Sequence, residues 1–197
     1  MKRLNQQNLN KPDLDIKAFH ERWRGQFHYI DWRRFYGMAK YFKGGKFIDI
    51  GVFNSPIIVE LKRRFPNSEF VGLDHCKEVM EELQKRYPEV TYMTGDAMKL
   101  PFEDNYFDYA VAGEILEHME DPTSFVKEAM RVVKPGGIFS LSTPKEEGVT
   151  QGLVSPEHLW SFNEQDIKNL LEPYGRVEIS TMRISLTESF VAICHKN

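Results

Sequence analysis

Between residues 46 and 142, short runs of β-branched and aromatic residues alternate with stretches of helical periodicity. Such alternation is the mark of βαβ units wound about a mostly parallel sheet, so the fold class is α/β. The runs are Lys46 to Ile50, Glu69 to Leu73, Val90 to Met93, Tyr109 to Ala112 and Ile138 to Ser142. Between them, Ile57, Ile58, Leu61 and Phe65 recur near helical spacing, as do Val79, Met80 and Leu83, and Phe125, Ala129, Val132 and Val133. Those spacings predict helices that each lay one face on the sheet. Ser55-Pro56, Asp121-Pro122 and Asn163 read as helix starts, a capping side chain followed in two cases by proline where no N–H is needed. Pro135-Gly136-Gly137 reads as a stop, and Thr143 to Phe162 as one long irregular stretch. Two last runs, Val177 to Arg183 and Glu188 to Cys194, are close enough to pair as an antiparallel hairpin.

In a parallel sheet, ligands gather beyond the carboxyl ends of the strands. Asp49, Asp74 and Asp96 stand at or next to the ends of three successive runs. One such aspartate is an ordinary turn residue, whereas three in register suggest a shared ligand. A carboxylate after the second strand can accept hydrogen bonds from both ribose hydroxyls, and Asp74 follows Asp49 at about the spacing that role requires. An adenosine-containing cofactor is therefore expected.

Length and charge narrow the rest. A chain of 197 residues suits one domain with an added arm. The first 46 residues hold eleven Lys and Arg against four Asp and Glu, a charge of +7, while the remainder carries −10. The expected division is a basic helical arm or cap over 1–45 and a domain over 46–197. The aromatic stripe Trp23, Phe27, Ile30, Phe35 and Phe42 reads as a packed helix face. Cys76 and Cys194 stand alone, so neither a disulfide framework nor a zinc site is expected. No apolar run approaches the roughly 20 residues that span a bilayer, and the first fifteen residues lack a secretory signal's apolar stretch. A cytoplasmic protein is the expectation.

The motifs in their order resemble those of the class I S-adenosylmethionine-dependent methyltransferases, and above all the branch that modifies ubiquinones, sugars and other small molecules. They are Phe47-Ile-Asp-Ile-Gly51, Val71-Gly-Leu-Asp74, Gly95-Asp96-Ala97 with Leu100-Pro101-Phe102, Phe107-Asp108, Leu116-Glu117-His118, Asp121-Pro122 and Val133-Lys-Pro-Gly-Gly137. The resemblance implies a Rossmann-like, seven-stranded, mostly parallel sheet with a reversed last strand and helices on both faces. It implies S-adenosylmethionine as cofactor, contacted by Asp49, Gly51, Val52, Phe53, Asn54, Asp74, His75, Asp96, Ala97, Met98, Gly113, Glu114 and His118. In that scheme Gly51 to Asn54 run beneath the methionine, Asp74 holds the ribose, and Asp96 with the Ala97 N–H reads the adenine. Glu114 and His118 border the sulfonium.

One loop departs from the family pattern Asp-x-Gly-x-Gly-x-Gly: Phe53 stands where the second glycine belongs. Its ring can block the pocket, pack on a sulfonium or turn away. For a hydroxyl acceptor the expected base is His158, in the long stretch that also carries Trp160; Arg33 and Arg34 could clamp a carboxylate. The expected function is methyl transfer to oxygen or nitrogen of a small-molecule acceptor. The alternatives are a degenerate relative serving as a binding or regulatory module, and a methyltransferase acting on RNA or protein. An acidic body without an aromatic-basic motif disfavours nucleic acid. The missing Gly-x-Gly-x-x-Gly disfavours a nicotinamide dehydrogenase.

Overall fold

A computed structural model describes residues 1–3, 32–53, 55, 57–145, 158–184 and 187–197. In chain order they form β1 (Lys2–Arg3), α1 (Trp32–Met38), β2 (Lys46–Ile50), α2 (Ile57–Arg64), β3 (Glu69–Asp74), α3 (Lys77–Arg86) and β4 (Thr91–Thr94). There follow β5 (Phe107–Gly113), a 3-10 turn at Leu116–His118, α4 (Pro122–Val132), β6 (Val133–Pro144) and β7 (Trp160–Ser161). The chain ends with α5 (Glu164–Leu171), a 3-10 turn at Glu172–Tyr174, β8 (Gly175–Ile184) and β9 (Thr187–Lys196).

Seven strands make one sheet in the order β4-β3-β2-β5-β6-β9-β8. The first five are parallel to one another, and β9 runs against both β6 and β8. This is the Rossmann-like sheet with a reversed last strand. From β2 the chain winds outward to β3 and β4, then returns to lay β5 on the other side of β2. The order thus reverses between β2 and β5, which opens a crevice at the carboxyl ends of those strands.

Alternation along the strands feeds two cores. Ile48, Ile50, Ala110, Ala112, Phe139 and Leu141 face one side, where α4 adds Phe125, Ala129 and Met130 and α5 adds Ile167 and Leu171. Phe47, Phe70, Tyr109 and Val111 face the other, against Ile57 and Ile58 of α2, Met80 and Leu83 of α3, and Phe35 and Met38 of α1. Phe35 and Phe42 are buried as the aromatic stripe predicts, while Trp23, Phe27 and Ile30 lie outside the described residues. The Tyr109 hydroxyl donates to the Met38 carbonyl and ties the end of α1 to the sheet.

The helix starts follow from side-chain chemistry. Asp121 Oδ1 accepts from the N–H groups of Thr123 and Ser124, each at 3.0 Å, with Pro122 in the first helical turn. Asn163 and Asp166 exchange side-chain-to-backbone bonds of 2.9 and 3.0 Å in a capping box. Ser55 is weaker, its hydroxyl 3.5 Å from the Ile57 nitrogen.

Two expectations are revised. Pro135-Gly136-Gly137 lies within β6 rather than ending a helix, since α4 has already stopped at Val132. Opposite β5, partners shift from Phe107–Val133 to Tyr109–Ile138, so this segment forms a bulge, which glycine at φ 75° and a proline without an N–H accommodate. The stretch from Thr143 to Phe162 is partly regular, because Thr143 and Pro144 finish β6 and Trp160–Ser161 pair with Lys2–Arg3. Residues 146–157 lie outside the described set. Removing the α4 cap with Asp121→Ala should cost about 1 kcal/mol, read as a lower urea midpoint with an unchanged slope.

Candidate functional site

The parallel register brings the carboxyl ends of β2, β3, β4 and β5 to one edge. Its centre is the seam between β2 and β3. Beyond Ile50, Gly51 turns at φ 74°, and both the Gly51 and Val52 N–H groups donate to the Leu73 carbonyl, at 2.8 and 3.1 Å. A Cβ on Gly51 would meet only the movable terminal methyl of Ile115 closely, at 2.5 Å, so it is the positive φ that calls for glycine. Phe53 follows at φ 48°, the left-handed conformation that a glycine would adopt freely. Its N–H donates to Asp74 Oδ2 at 2.9 Å. Asp74 Oδ1 accepts from the Cys76 N–H at 3.0 Å and lies 3.3 Å from His75 Nδ1. The Asp74 carbonyl receives the Gly95 N–H, which joins the end of β4 to the same node.

Asp49 lies beneath this seam, 4% exposed. Burial, reinforced by the charge of Asp74, pushes its carboxyl up to about 7, against the opposing effects of Arg34 and the Ser55 hydroxyl. Among the described residues, Asp49 Oδ2 and Arg34 Nε are buried polar atoms without a hydrogen-bond partner. Arg34 comes from α1, and its Nη1 meets Glu114 Oε1 at 2.9 Å. Glu114, at φ 55° just past β5, also accepts from the Ser142 hydroxyl at 2.8 Å, and its N–H donates to the Ser142 carbonyl. Gly113 is the last residue of β5, opposite Ser142.

Asp96 sits beyond β4, exposed, its Oδ1 accepting the Met98 N–H at 2.8 Å in a turn of its own making. Ala97 and Met98 pack partly against the core. Asn54 lies outside the described residues. Arg33 is directed elsewhere, donating to the Arg183 carbonyl.

A second group adjoins the first at the ends of β5 and β6. Glu117, 1% exposed, accepts from the Thr143 hydroxyl at 3.0 Å. His118 Nε2 is 4.0 Å from Glu117 Oε1, and the His118 and His158 rings meet edge to face at 4.9 Å. Leu159 donates to the Glu117 carbonyl and Trp160 Nε1 to the Met119 carbonyl, both at 2.8 Å. Trp160 is therefore an anchor for this segment. Sequence reasoning missed Glu117 as a site residue; its one signal is an acid directly between Leu116 and His118. The pairing of Arg34 with Glu114 carries no local signal, because it joins residues 80 apart in the chain.

Residues 48–141 match the family model described as a methyltransferase domain. This segment is a class I methyltransferase domain. A probable S-adenosylmethionine-dependent methyltransferase of Mycolicibacterium smegmatis is 31% identical over 126 residues, 62% of this chain and 47% of that protein. The ubiquinone/menaquinone biosynthesis C-methyltransferase UbiE of Desulfotalea psychrophila is 33% identical over 109 residues, 54% of this chain and 44% of that protein. The chain thus spans less than half the length of these curated relatives. A SAM-dependent methyltransferase structure from Thermotoga maritima superposes with a TM-score of 0.73 at 20% identity, over 93% of this chain and 97% of that one, a likeness of fold.

In the class I domain, a buried Asp49 makes stability depend on pH. Between about 3.9, the unfolded carboxyl's pKa, and about 7, the unfolded chain has released a proton that the folded chain still holds. Stability therefore falls as pH rises through that window and levels off above it. Asp49→Asn should gain on the parent progressively from about pH 4 to 7 and hold a constant advantage beyond, as urea unfolding across a pH series would read. A difference that does not vary with pH would mean that Asp49 stays ionised throughout.

Proposed function

We propose that this protein is an S-adenosylmethionine-dependent methyltransferase acting on oxygen or nitrogen of a small molecule. The observation that carries the reading is the pair of buried, unsatisfied atoms of opposite character, Asp49 Oδ2 and Arg34 Nε, beside the positive-φ glycine turn that follows β2. The methionine end of the cofactor bears an ammonium and a carboxylate, and an acceptor and a donor are what such a ligand would satisfy. Asp74, at the end of β3, is suited to the ribose hydroxyls: a carboxylate has about four lone-pair sites, and the Phe53, His75 and Cys76 contacts leave it acceptor capacity. Asp96 with the Ala97 N–H is assigned to the adenine, lined by His75 and Met98, and Glu114 and His118 to the sulfonium side. Val52, Phe53 and Gly113 complete the floor.

When bound, the cofactor supplies a methyl group made electrophilic by a positively charged sulfur. The chain's own contribution is chiefly placement, which can account for about 7–11 kcal/mol of barrier. His158, beside His118, is positioned to take the proton of a hydroxyl or amine acceptor. Residues 1–45 are assigned as a cap over the domain at 46–197, and α1 already contributes Arg34 from that segment. The degenerate-module reading rests on the bulk of Phe53; against it, the backbone of Phe53 keeps the left-handed conformation a glycine would adopt, so the turn itself is retained.

Thermal unfolding with S-adenosylmethionine, S-adenosylhomocysteine and NAD in separate samples tests the proposal. A ligand at 100 times its Kd stabilises by about 2.7 kcal/mol, on the order of 5–10 °C for this size. Both sulfur nucleosides should raise the midpoint, and NAD should not. Asp74→Ala should abolish the shift. No shift with either nucleoside near millimolar would return the module reading to first place.

A further inference from the structure

The structure assigns Glu117, His118 and His158 to a divalent-cation site on the acceptor side of the sheet edge. One carboxylate oxygen and two imidazole nitrogens, one atom from each residue, all lie within 4.8 Å of one another. The set is assembled from distant chain: Glu117 and His118 from the 3-10 turn after β5, His158 from the segment before β7. A tetrahedral cation with ligands about 2.1 Å away needs them about 3.4 Å apart, so closure takes movements on the order of 1 Å. Both imidazoles are only partly buried, His118 at 29% exposure, and can turn by that much, whereas the carboxylate stays in place.

The surroundings are those of a supported donor set. Thr143 holds Glu117 Oε2, the arrangement by which an outer group orients a ligating carboxylate. The Leu159 N–H on the Glu117 carbonyl and the Trp160 indole on the Met119 carbonyl fasten His158 opposite His118. Pairing of β7 with β1 adds a further tie. Two nitrogens and one oxygen suit Zn²⁺, Co²⁺, Mn²⁺ or Fe²⁺ rather than the all-oxygen preference of Ca²⁺ and Mg²⁺.

Three protein ligands leave coordination positions open. In this molecule they would receive the oxygens of a chelating acceptor, such as a vicinal diol or a catechol, a use that rests on the methyl-transfer reading. The bound hydroxyl loses its proton to water; its oxygen then forms the new C–O bond as the S–CH₃ bond breaks, and that electron pair remains on sulfur as S-adenosylhomocysteine. With the cation bound, His158 is a ligand, the cation acidifies the hydroxyl, and this replaces the base role that His158 is assigned in the metal-free reading.

The test is a Co²⁺ titration of the chelator-stripped full chain, followed by visible absorption, with Zn²⁺ in calorimetry as a second probe. Expected is one equivalent with a visible band, and an affinity at least tenfold lower in His118→Ala and in His158→Ala, while His195→Ala, remote from the group, leaves it unchanged. Glu117→Gln should lose the band as well; should that buried change unfold the chain, the two histidine variants decide. Absence of saturable binding below about 1 mM, or affinity indifferent to both histidines, overturns the assignment. Cofactor affinity measured on the stripped protein reports separately on the methyltransferase reading, so either can fail alone.

Discussion

The seam between β2 and β3 is the constraint on which the rest of the site depends. Two N–H groups of the turn after β2 share the Leu73 carbonyl, and a third reaches the side chain of the next residue, Asp74. Parallel register sets Ile50 beside Leu73, and from there the turn has no freedom to drift. Because Asp74 also receives the Cys76 N–H and, through its carbonyl, the Gly95 N–H, one residue joins three strand ends. Its carboxylate is then an acceptor whose position is already determined before any ligand arrives, which lowers the ordering cost of binding.

Much of this was legible in the residues. Asp121 and Asn163 announced their helices because a cap is a local bond, satisfied within three residues of sequence. The strands were legible because apolar runs have a period and a length. The edge of the sheet was legible because aspartates at strand ends must face the same way once the strands are parallel. What stayed hidden is long-range or compensated. The bulge through Pro135-Gly136-Gly137 reads as a stop because the same residues serve both purposes, and only the register of β5 decides between them. The pairing of Lys2–Arg3 with Trp160–Ser161 joins segments with no mutual signal. Glu117 looks like a surface acid until the Thr143 hydroxyl, at the end of β6, is seen to donate to it.

Asp49 and Arg34 show how the segment before β2 becomes part of the domain. Phe35 and Met38 bury α1 in the same core as Phe47 and Tyr109, and this packing is what carries the guanidinium to Glu114. Arg34 therefore faces two acids of different character. Glu114 is in direct contact and partly exposed, whereas Asp49 is buried and pushed up to about 7 by its surroundings in spite of the arginine. A single cation cannot fully compensate both. The residual imbalance, a buried carboxyl whose charged form is disfavoured and a guanidinium nitrogen with no partner among the described residues, is the kind of local polar deficit that folding tolerates where a ligand completes the set.

Phe53 bears on the same point from the backbone side. A left-handed phenylalanine costs about 1–2 kcal/mol that a glycine would avoid, and the turn keeps it only because its neighbours leave no alternative. Val52 and Gly51 are held by Leu73, Ser55 by the Val52 carbonyl, and the Phe53 N–H by Asp74. The bond from Phe53 to Asp74 links the loop's conformation to the carboxylate assigned to the ribose. A change at either residue is thereby felt at the other, so the lost glycine is offset not by sequence nearby but by an acceptor 21 residues along the chain.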